Sequence, residues 1–531
     1  MRSKPLILVA LLLPAFLVNL DTMLVNVALP VMVRELHATT TQLQWVVDAY
    51  NLVFAALLLA FGCLSDRFGR KGMLLAGLGV VGAASLAGGF TTSPEQLIAA
   101  RAVMGLGAAM TFPATLSLIT NVFTERTERA RAIGLWGAVS GVAIATGPIV
   151  GGWLLERYSW QAIFIAMVPV AAVAAILVAL AVPTSKDPDA APLDIPGLVL
   201  SSAAMALLVF TIIEAPAYGW AAARTVAGFA ASAVLLAAFI VAERRAAYPM
   251  LEVRLFRNMR FSAASGAVTV SFFTLFGFIF LITQYFQFVR GSGPLSTGIR
   301  LLPVAVAVGV GSVAGTQLAV RAGTKLVVTT GLVAMAGFYA WVAATISATL
   351  SYAIIAAQMV VYGLGLGLTS APATESIMGA ISRAKAGVGS AINDSTRLVG
   401  GTLGVAVIGS VYASVYASKL SATIPAAVPA PAAAIAHQSV GAAYAAAGQI
   451  TALGHPALGL ALHHASTNAF LDGLTIGALV AGSIAAAGAL LAARFLPAQP
   501  TGPASPAADH VETAEQAHQA RPTPAPPHQR P

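Results

Sequence analysis

Fourteen apolar segments, each long enough to cross a bilayer, leave this chain few ways to fold. They fall at about 6–28, 45–65, 72–91, 97–119, 132–154, 161–182, 194–214, 225–242, 261–283, 299–319, 326–347, 351–373, 396–417 and 468–493. At 1.5 Å per residue, about 20 helical residues span a ~30 Å hydrocarbon layer. Only 9% of the chain is charged and 58% is hydrophobic, where an ordinary soluble domain carries roughly 25% charge. Lipid cannot satisfy free backbone groups, so the expected class is an all-α polytopic membrane protein. The first segment follows Arg2 and Lys4 as a signal peptide would. Its apolar run reaches about Ala28, however, with no small-x-small cleavage site before Asp21, and it is read as a retained helix.

Fourteen crossings put both ends of the chain on one face. Of the 29 arginines and lysines, 22 lie at the ends or in the even-numbered loops, 6 in the opposite loops, and Arg101 within a span. The positive-inside rule then predicts cytoplasmic termini. The net charge of +9 is scattered singly between apolar runs, unlike a phosphate-binding patch, so no nucleic-acid partner is expected. The single cysteine, Cys63, excludes a disulfide framework and a multi-cysteine metal site. Residues 418–467 read as a long outer loop of low complexity, and 495–531, rich in Pro, Ala, Gln and His, as a disordered cytoplasmic tail.

The loop after span 2 reads SDRFGRK and the loop after span 10 reads AVRAGTK. Arg321, Gly323 and Lys325 thus repeat Arg67, Gly69 and Lys71, with Val320 in place of Asp66. Two related six-helix halves with two helices inserted between them explain this offset. The expected division is 1–182 for the first half, 183–258 for the inserted pair and its flanks, and 259–494 for the second half.

Three features carry chemistry. The first is the segment 134–152, GLWGAVSGVAIATGPIVGG, in which Gly134, Gly137, Gly141, Ala145, Pro148 and Gly152 recur every three or four residues. Such a small-residue face, with Gly147 and Gly151 beside it, lets helix backbones approach closely, and Pro148 predicts a kink near the outer end. The second is Gly62-Cys-Leu-Ser-Asp-Arg-Phe-Gly-Arg-Lys71. Gly62 suits close packing at the end of span 2 and Gly69 a positive-φ turn. Arg67, Arg70 and Lys71 hold the loop on the cytoplasmic side, and Asp66 is placed to accept hydrogen bonds from an arginine or a helix N-terminus. The third is a layer of intramembrane charge: Asp21 at ~10 Å from the outer end of span 1, Arg101 at ~6 Å in span 4 and Asp48 at ~5 Å in span 2. Ionisable groups at such depth point to function and to pairing. Asp48, the shallowest, equally suits a wetted or snorkelling side chain.

These stretches resemble the major facilitator superfamily, and within it the fourteen-helix drug:proton antiporters. Gly147-Pro148 with Gly151-Gly152 is similar to their antiporter motif, and 62–71 to the superfamily's signature loop, which implies a latch that closes the cytoplasmic side. Leu20-Asp-Thr-Met-Leu-Val-Asn-Val-Ala-Leu-Pro30, Trp45-Val-Val-Asp-Ala-Tyr50 and Arg101-Ala-Val-Met-Gly-Leu-Gly107 resemble their first-, second- and fourth-helix signatures. The resemblance implicates Arg101 in proton transfer. A carboxylate in a low-dielectric site has a raised pKa and a nearby arginine lowers it, so movement between two states can swing Asp21 between binding and releasing a proton. One charge moving through 100 mV supplies ~2.3 kcal/mol, enough for ~50-fold accumulation.

The expected function is proton-coupled efflux of small amphipathic molecules (drugs, dyes or antibiotics), by a monomer in the inner membrane, in contact with lipid and with no cofactor. The same machine could carry a siderophore, a lipid or a self-made metabolite instead. A membrane-embedded enzyme is disfavoured by the lack of His-Glu-x-x-His, and ATP drive by the lack of a Walker loop. An import symporter is disfavoured by the antiporter-like helix. All eight histidines read as loop or tail residues. Phe272, Phe273, Phe276, Gln284, Tyr285 and Gln287 are the expected substrate surface, and Glu375, Asn393, Asp394 and Arg397 the expected cytoplasmic gate.

Overall fold

The computed structural model of the protein describes residues 4–186, 192–380 and 386–497. Its helices are α1 (Lys4–Leu36), α2 (Thr40–Phe68), α3 (Arg70–Gly88), α4 (Pro94–Val122), α5 (Arg126–Arg157), α6 (Ala162–Ile165) and α7 (Met167–Ala181) in the first half. The inserted pair is α8 (Ile195–Tyr218) and α9 (Ala223–Arg245). The second half contains α10 (Met259–Gln284), α11 (Pro294–Arg300), α12 (Leu302–Ala322), α13 (Thr324–Thr345), α14 (Tyr352–Gly379), α15 (Ala386–Thr423), α16 (Ala430–Gln438), α17 (Val440–Ala452) and α18 (Pro456–Phe495). A π-helical turn, Tyr285–Val289, extends α10. Fourteen helical stretches are long and apolar enough to cross a membrane, α6–α7 and α11–α12 each forming one, and no strand occurs among the described residues.

Local chemistry sets the boundaries. Thr39 and Gln42 form a reciprocal capping box at the start of α2, Ser93 caps α4 ahead of Pro94, and Asp194 caps α8. Gly69 (φ 120°) separates α2 from α3, and Gly323 (φ 87°) separates α12 from α13. Both lie where a Cβ would clash with the backbone, so the repeated glycine has a conformational cause. Pro148 lies inside an unbroken α5, consistent with membrane helices tolerating proline where neighbours bury the freed groups.

The internal repeat extends to packing. In the first half α1 packs on α5, α2 on α4, and α3 on α4 and α7. In the second half α10 packs on α15, α12 on α14, and α13 on α14 and α18. The inserted α8 and α9 pack on each other, and α8 lies against both α2 and α15. Trp45 on α2 donates to Glu214 on α8 (3.2 Å), and Trp220 after α8 donates to Ser414 on α15 (2.9 Å). The pair therefore braces one flank of both halves.

Two readings need correction. Residues 418–467 are not a loop: α15 continues to Thr423, and α16, α17 and the first turns of α18 fill the stretch. Alanine has the highest helix propensity, and Ser439 caps α17 by accepting from Ala442. Low complexity here is helix rather than coil. For the same reason His437, His463 and His464 are helical, and His463 stacks on Tyr444 at 4.0 Å. Of the expected tail, 495–531, Phe495 ends α18, and the part from residue 498, with its three histidines, lies outside the described residues.

Candidate functional site: a buried ion pair above a central cavity

Asp21 on α1 and Arg101 on α4 form an ion pair of 2.5 Å, with Asp21 5% and Arg101 1% exposed. The guanidinium also donates from Nε to the Val46 carbonyl (3.0 Å) and lies over the Tyr50 ring at 4.2 Å, both on α2. Tyr50 in turn donates its hydroxyl to the Val18 carbonyl on α1 (3.2 Å). One arginine thus ties three helices. A buried charge is held only when paired and hydrogen-bonded, and Arg101 meets both conditions. The expected pairing of the two charged groups is present.

Asp48 is fully buried, and among the described residues neither carboxylate oxygen has a hydrogen-bond partner. The wetted, snorkelling alternative is therefore wrong: α8 and α15 pack on α2, which no single-segment reading anticipates. Asn51, one turn along, is likewise buried with both side-chain polar atoms unpartnered.

Below the ion pair lies a cavity of about 460 Å³ between the halves. The first half contributes Asn19 and Thr22 of α1, Phe54 of α2, Phe112 of α4, and Trp136, Gly137 and Gly141 of α5. The second contributes Phe272, Leu275 and Phe276 of α10, Ser312 of α12, Ser370 and Thr374 of α14, and Asp394 and Arg397 of α15. An aromatic run joins the ion pair to this space. Tyr50 meets Phe54 (5.9 Å), Phe54 meets Phe112 (5.7 Å), and Phe112 meets Trp136 (4.9 Å).

The halves close the face opposite the chain ends. Gln44 on α2 donates to the Val405 and Ala406 carbonyls (3.3 and 3.1 Å) and to Ser410 (3.2 Å) on α15. Gln287 donates to the Val27 carbonyl (2.8 Å), and Thr40 to the Gln438 carbonyl (3.2 Å). Helix α11 sits on α5, where the Leu295 amide donates to Glu156 (3.2 Å). A Cβ on Gly152 would lie 2.5 Å from the Leu295 Cα, and one on Gly298 would overlap the Pro148 carbonyl. The small-residue face of α5 is therefore divided. Gly147, Gly151 and Gly152 pack against α1 and α11, while Gly134, Gly137 and Gly141 meet nothing within 4 Å.

The loop at 62–71 lies on the face of the chain ends. Asp66 accepts from Arg70 Nε (2.7 Å) and from Ser117 of α4 (3.3 Å). Lys71 donates to the Ala179 carbonyl (2.8 Å), and Arg67 is exposed. Gly62 does not mark close packing: a Cβ there would meet only Pro113, at 3.9 Å.

Of the expected substrate surface, Phe272 and Phe276 line the cavity. Phe273 is buried outside that lining, with its backbone against Gly404 of α15. Gln284 is buried and donates to its own helix at Phe280, and Tyr285 donates to the Ser347 carbonyl (2.8 Å). These three residues lie outside the cavity lining, which helical spacing alone could not assign. The expected gate also shifts: Asp394 and Arg397 belong to the cavity wall, whereas Glu375 is exposed. Trp136, Phe54, Phe112 and Thr374 were missed. The four-residue spacing of Tyr50 and Phe54 was the available signal.

The family profile described as Major Facilitator Superfamily matches residues 11–405. The chain is 36% identical over 405 residues to the multidrug efflux pump LfrA of Mycolicibacterium smegmatis, covering 76% of this chain and 80% of that one. It is 34% identical to the multidrug resistance protein Stp of Mycobacterium tuberculosis (77% and 76% covered). It is 33% identical to the tetracenomycin C resistance and export protein of Streptomyces glaucescens (77% and 76% covered). Among solved structures, a bacterial homologue of the human lysosomal transporter Spinster, inward-facing and occupied, superposes with a TM-score of 0.66 at 16% identity, covering 93% of this chain and 98% of that one. With fourteen spanning helices, two repeated halves and these relatives, the chain belongs to the major facilitator superfamily of membrane transporters, alongside its drug efflux pumps.

Proposed function

We propose that the protein exports amphipathic small molecules (drugs, dyes or antibiotics) across the cytoplasmic membrane in exchange for entering protons. Asp21 is the proton carrier, Arg101 tunes it, and the chain ends are cytoplasmic. The observation that carries this reading is the buried Asp21–Arg101 pair directly above a cavity sealed on the far face. In this state the cavity receives cargo from the cytoplasmic side. A proton arriving from outside neutralises Asp21 and removes the charge that holds Arg101 between α1 and α2. The aromatic run from Tyr50 to Trp136 connects that rearrangement to the cavity wall. Rocking of the halves about the cavity then exchanges the closed side. The names of two relatives, an efflux pump and a resistance and export protein, support the direction of transport.

Asp66 and Arg70 act as the latch that closes the cytoplasmic side in the other state. Asp48 is a second proton-coupling acid, because an ionised carboxylate without a partner is unfavourable at full burial. The test is substrate-induced proton release from reconstituted vesicles, with an uncoupler control. Cargo that moves uphill without any proton movement refutes the reading. Export of a self-made antibiotic is a second reading, supported by the relative named for tetracenomycin C resistance and export. A substrate panel on cells overexpressing the protein separates the two.

A further inference from the structure

Two opposite charges share one wall of the cavity without forming a direct ion pair. Asp394 and Arg397 lie three residues apart on α15, a spacing at which helix side chains readily meet. They form no ion pair within 4.0 Å. Arg397 turns instead across the cavity wall. Its Nη2 donates to Thr374 on α14 (3.2 Å), and its guanidinium lies 5.2 Å from the centre of the Phe272 ring on α10. Thr374 is anchored in turn by donating to Asn393 (3.1 Å). The Nε of Arg397 is buried and has no partner. Among the described residues Asp394 receives only a long contact from Asn393, at 3.5 Å.

Among the described residues these are the only charged ones that line the cavity; the rest of its described wall is aromatic, aliphatic, hydroxyl or amide. The two charges attract each other without closing a direct contact, so each keeps a face towards the cavity for an opposite group of a ligand. A guanidinium fixed by a hydroxyl and a ring also keeps a planar donor edge ready for a carboxylate. We infer that the cavity is built for zwitterionic aromatic substrates, with Asp394 taking the cationic group and Arg397 the carboxylate. This rests on the transport reading above and adds the charge pattern of the cargo.

The test uses two dyes that differ at a single group. Rhodamine 110 carries a cationic ring system and a free carboxylate, and rhodamine 123 is its methyl ester. Binding of each to the purified full-length protein in lipid nanodiscs is read by fluorescence polarisation. The inference expects wild type to bind rhodamine 110 at least as tightly as rhodamine 123. Arg397→Gln should weaken rhodamine 110 by about tenfold or more, the loss expected for a charge-assisted hydrogen bond, and leave rhodamine 123 nearly unchanged. Asp394→Asn should weaken both dyes together, since both carry the cation. Arg397→Lys keeps the charge and should retain part of the preference, which guards against a glutamine variant that fails to fold. Wild type preferring the ester, or an unchanged ratio of the two affinities in Arg397→Gln and Arg397→Lys, overturns the inference while leaving export intact. Wild type binding neither dye, with a panel of other amphipathic compounds also failing, removes the transport reading and this inference with it.

Discussion

Gln44 of α2 rests directly on Gly409 of α15. A Cβ at position 409 would lie 2.6 Å from the Gln44 amide nitrogen, and that nitrogen donates to two carbonyls and a hydroxyl of the same helix. This contact joins the two halves on the face away from the chain ends, and it forms only because residue 409 has no side chain.

Gly409→Val should therefore wedge the halves apart, and Gln44→Leu should remove the bonds that hold them. Loss of buried hydrogen bonds of this kind costs about 1–3 kcal/mol, so the share of molecules open on the far face should rise roughly five- to a hundredfold. The check is labelling of a cysteine placed near Thr40 in a Cys63→Ser background. Unchanged labelling in both variants would show that this contact does not set the closed state.

The divided face of α5 makes a graded prediction. Gly152→Ala places a methyl against the α11 backbone, and Gly147→Ala places one 2.5 Å from Met23 Cβ. Gly134→Ala and Gly137→Ala meet nothing within 4 Å. Dye efflux from cells should be strongly reduced by the first pair and largely retained by the second, most fully by Gly134→Ala, which lies outside the cavity lining. Equal effects along the whole stripe would contradict the packing described for α5.

Arg101→Lys should behave as a severe change. Lysine cannot keep the Asp21 pair, the Val46 bond and the Tyr50 face together, because its charge is a single point on a flexible stem. Removal of one partner of a buried pair is destabilising by about 3–5 kcal/mol, so Arg101→Ala should also lower the melting temperature in detergent. Asp21→Asn with Arg101→Gln should recover part of that loss, because no buried charge then stands alone.

Gly69→Ala and Gly323→Ala place a Cβ in a left-handed backbone region and should each destabilise by about 1–2 kcal/mol. Asp66→Asn should act differently. It weakens the bonds from Arg70 and Ser117 and has no counterpart in the second half, where Val320 is exposed. Thermal unfolding measures the first effect and the rate of dye efflux the second. A similar melting loss in all three variants would argue against a functional asymmetry between the two loops.

Much of this was legible in the chain because membrane constraints are local. Apolar length gives the spans, and arginine and lysine bias gives the sidedness expected of them. The repeated Arg-x-Gly-x-Lys gives the two halves, and Gly69 and Gly323 show its backbone cause. Asp21 and Arg101 were found because charge in lipid needs a partner, and helical depth placed them in one layer. What stayed hidden depends on which way a helix faces. Phe272 and Phe276 line the cavity while Phe273 and Tyr285 do not, a matter of rotation that an apolar run does not encode. Asp48 suited a wetted side chain as well as a functional one because the helices that pack on α2, α8 and α15, come from distant parts of the chain. The stretch 418–467 looked like coil because its alanines carry no apolar periodicity, although they favour helix.

The central claim is that Asp21 couples proton entry to cargo exit, and one comparison in proteoliposomes tests it most directly. Asp21→Asn should still exchange labelled cargo for unlabelled cargo across the membrane, since the cavity is intact. It should fail to build a cargo gradient when a pH gradient and voltage are imposed. Uphill accumulation by Asp21→Asn at the wild-type level would contradict the account.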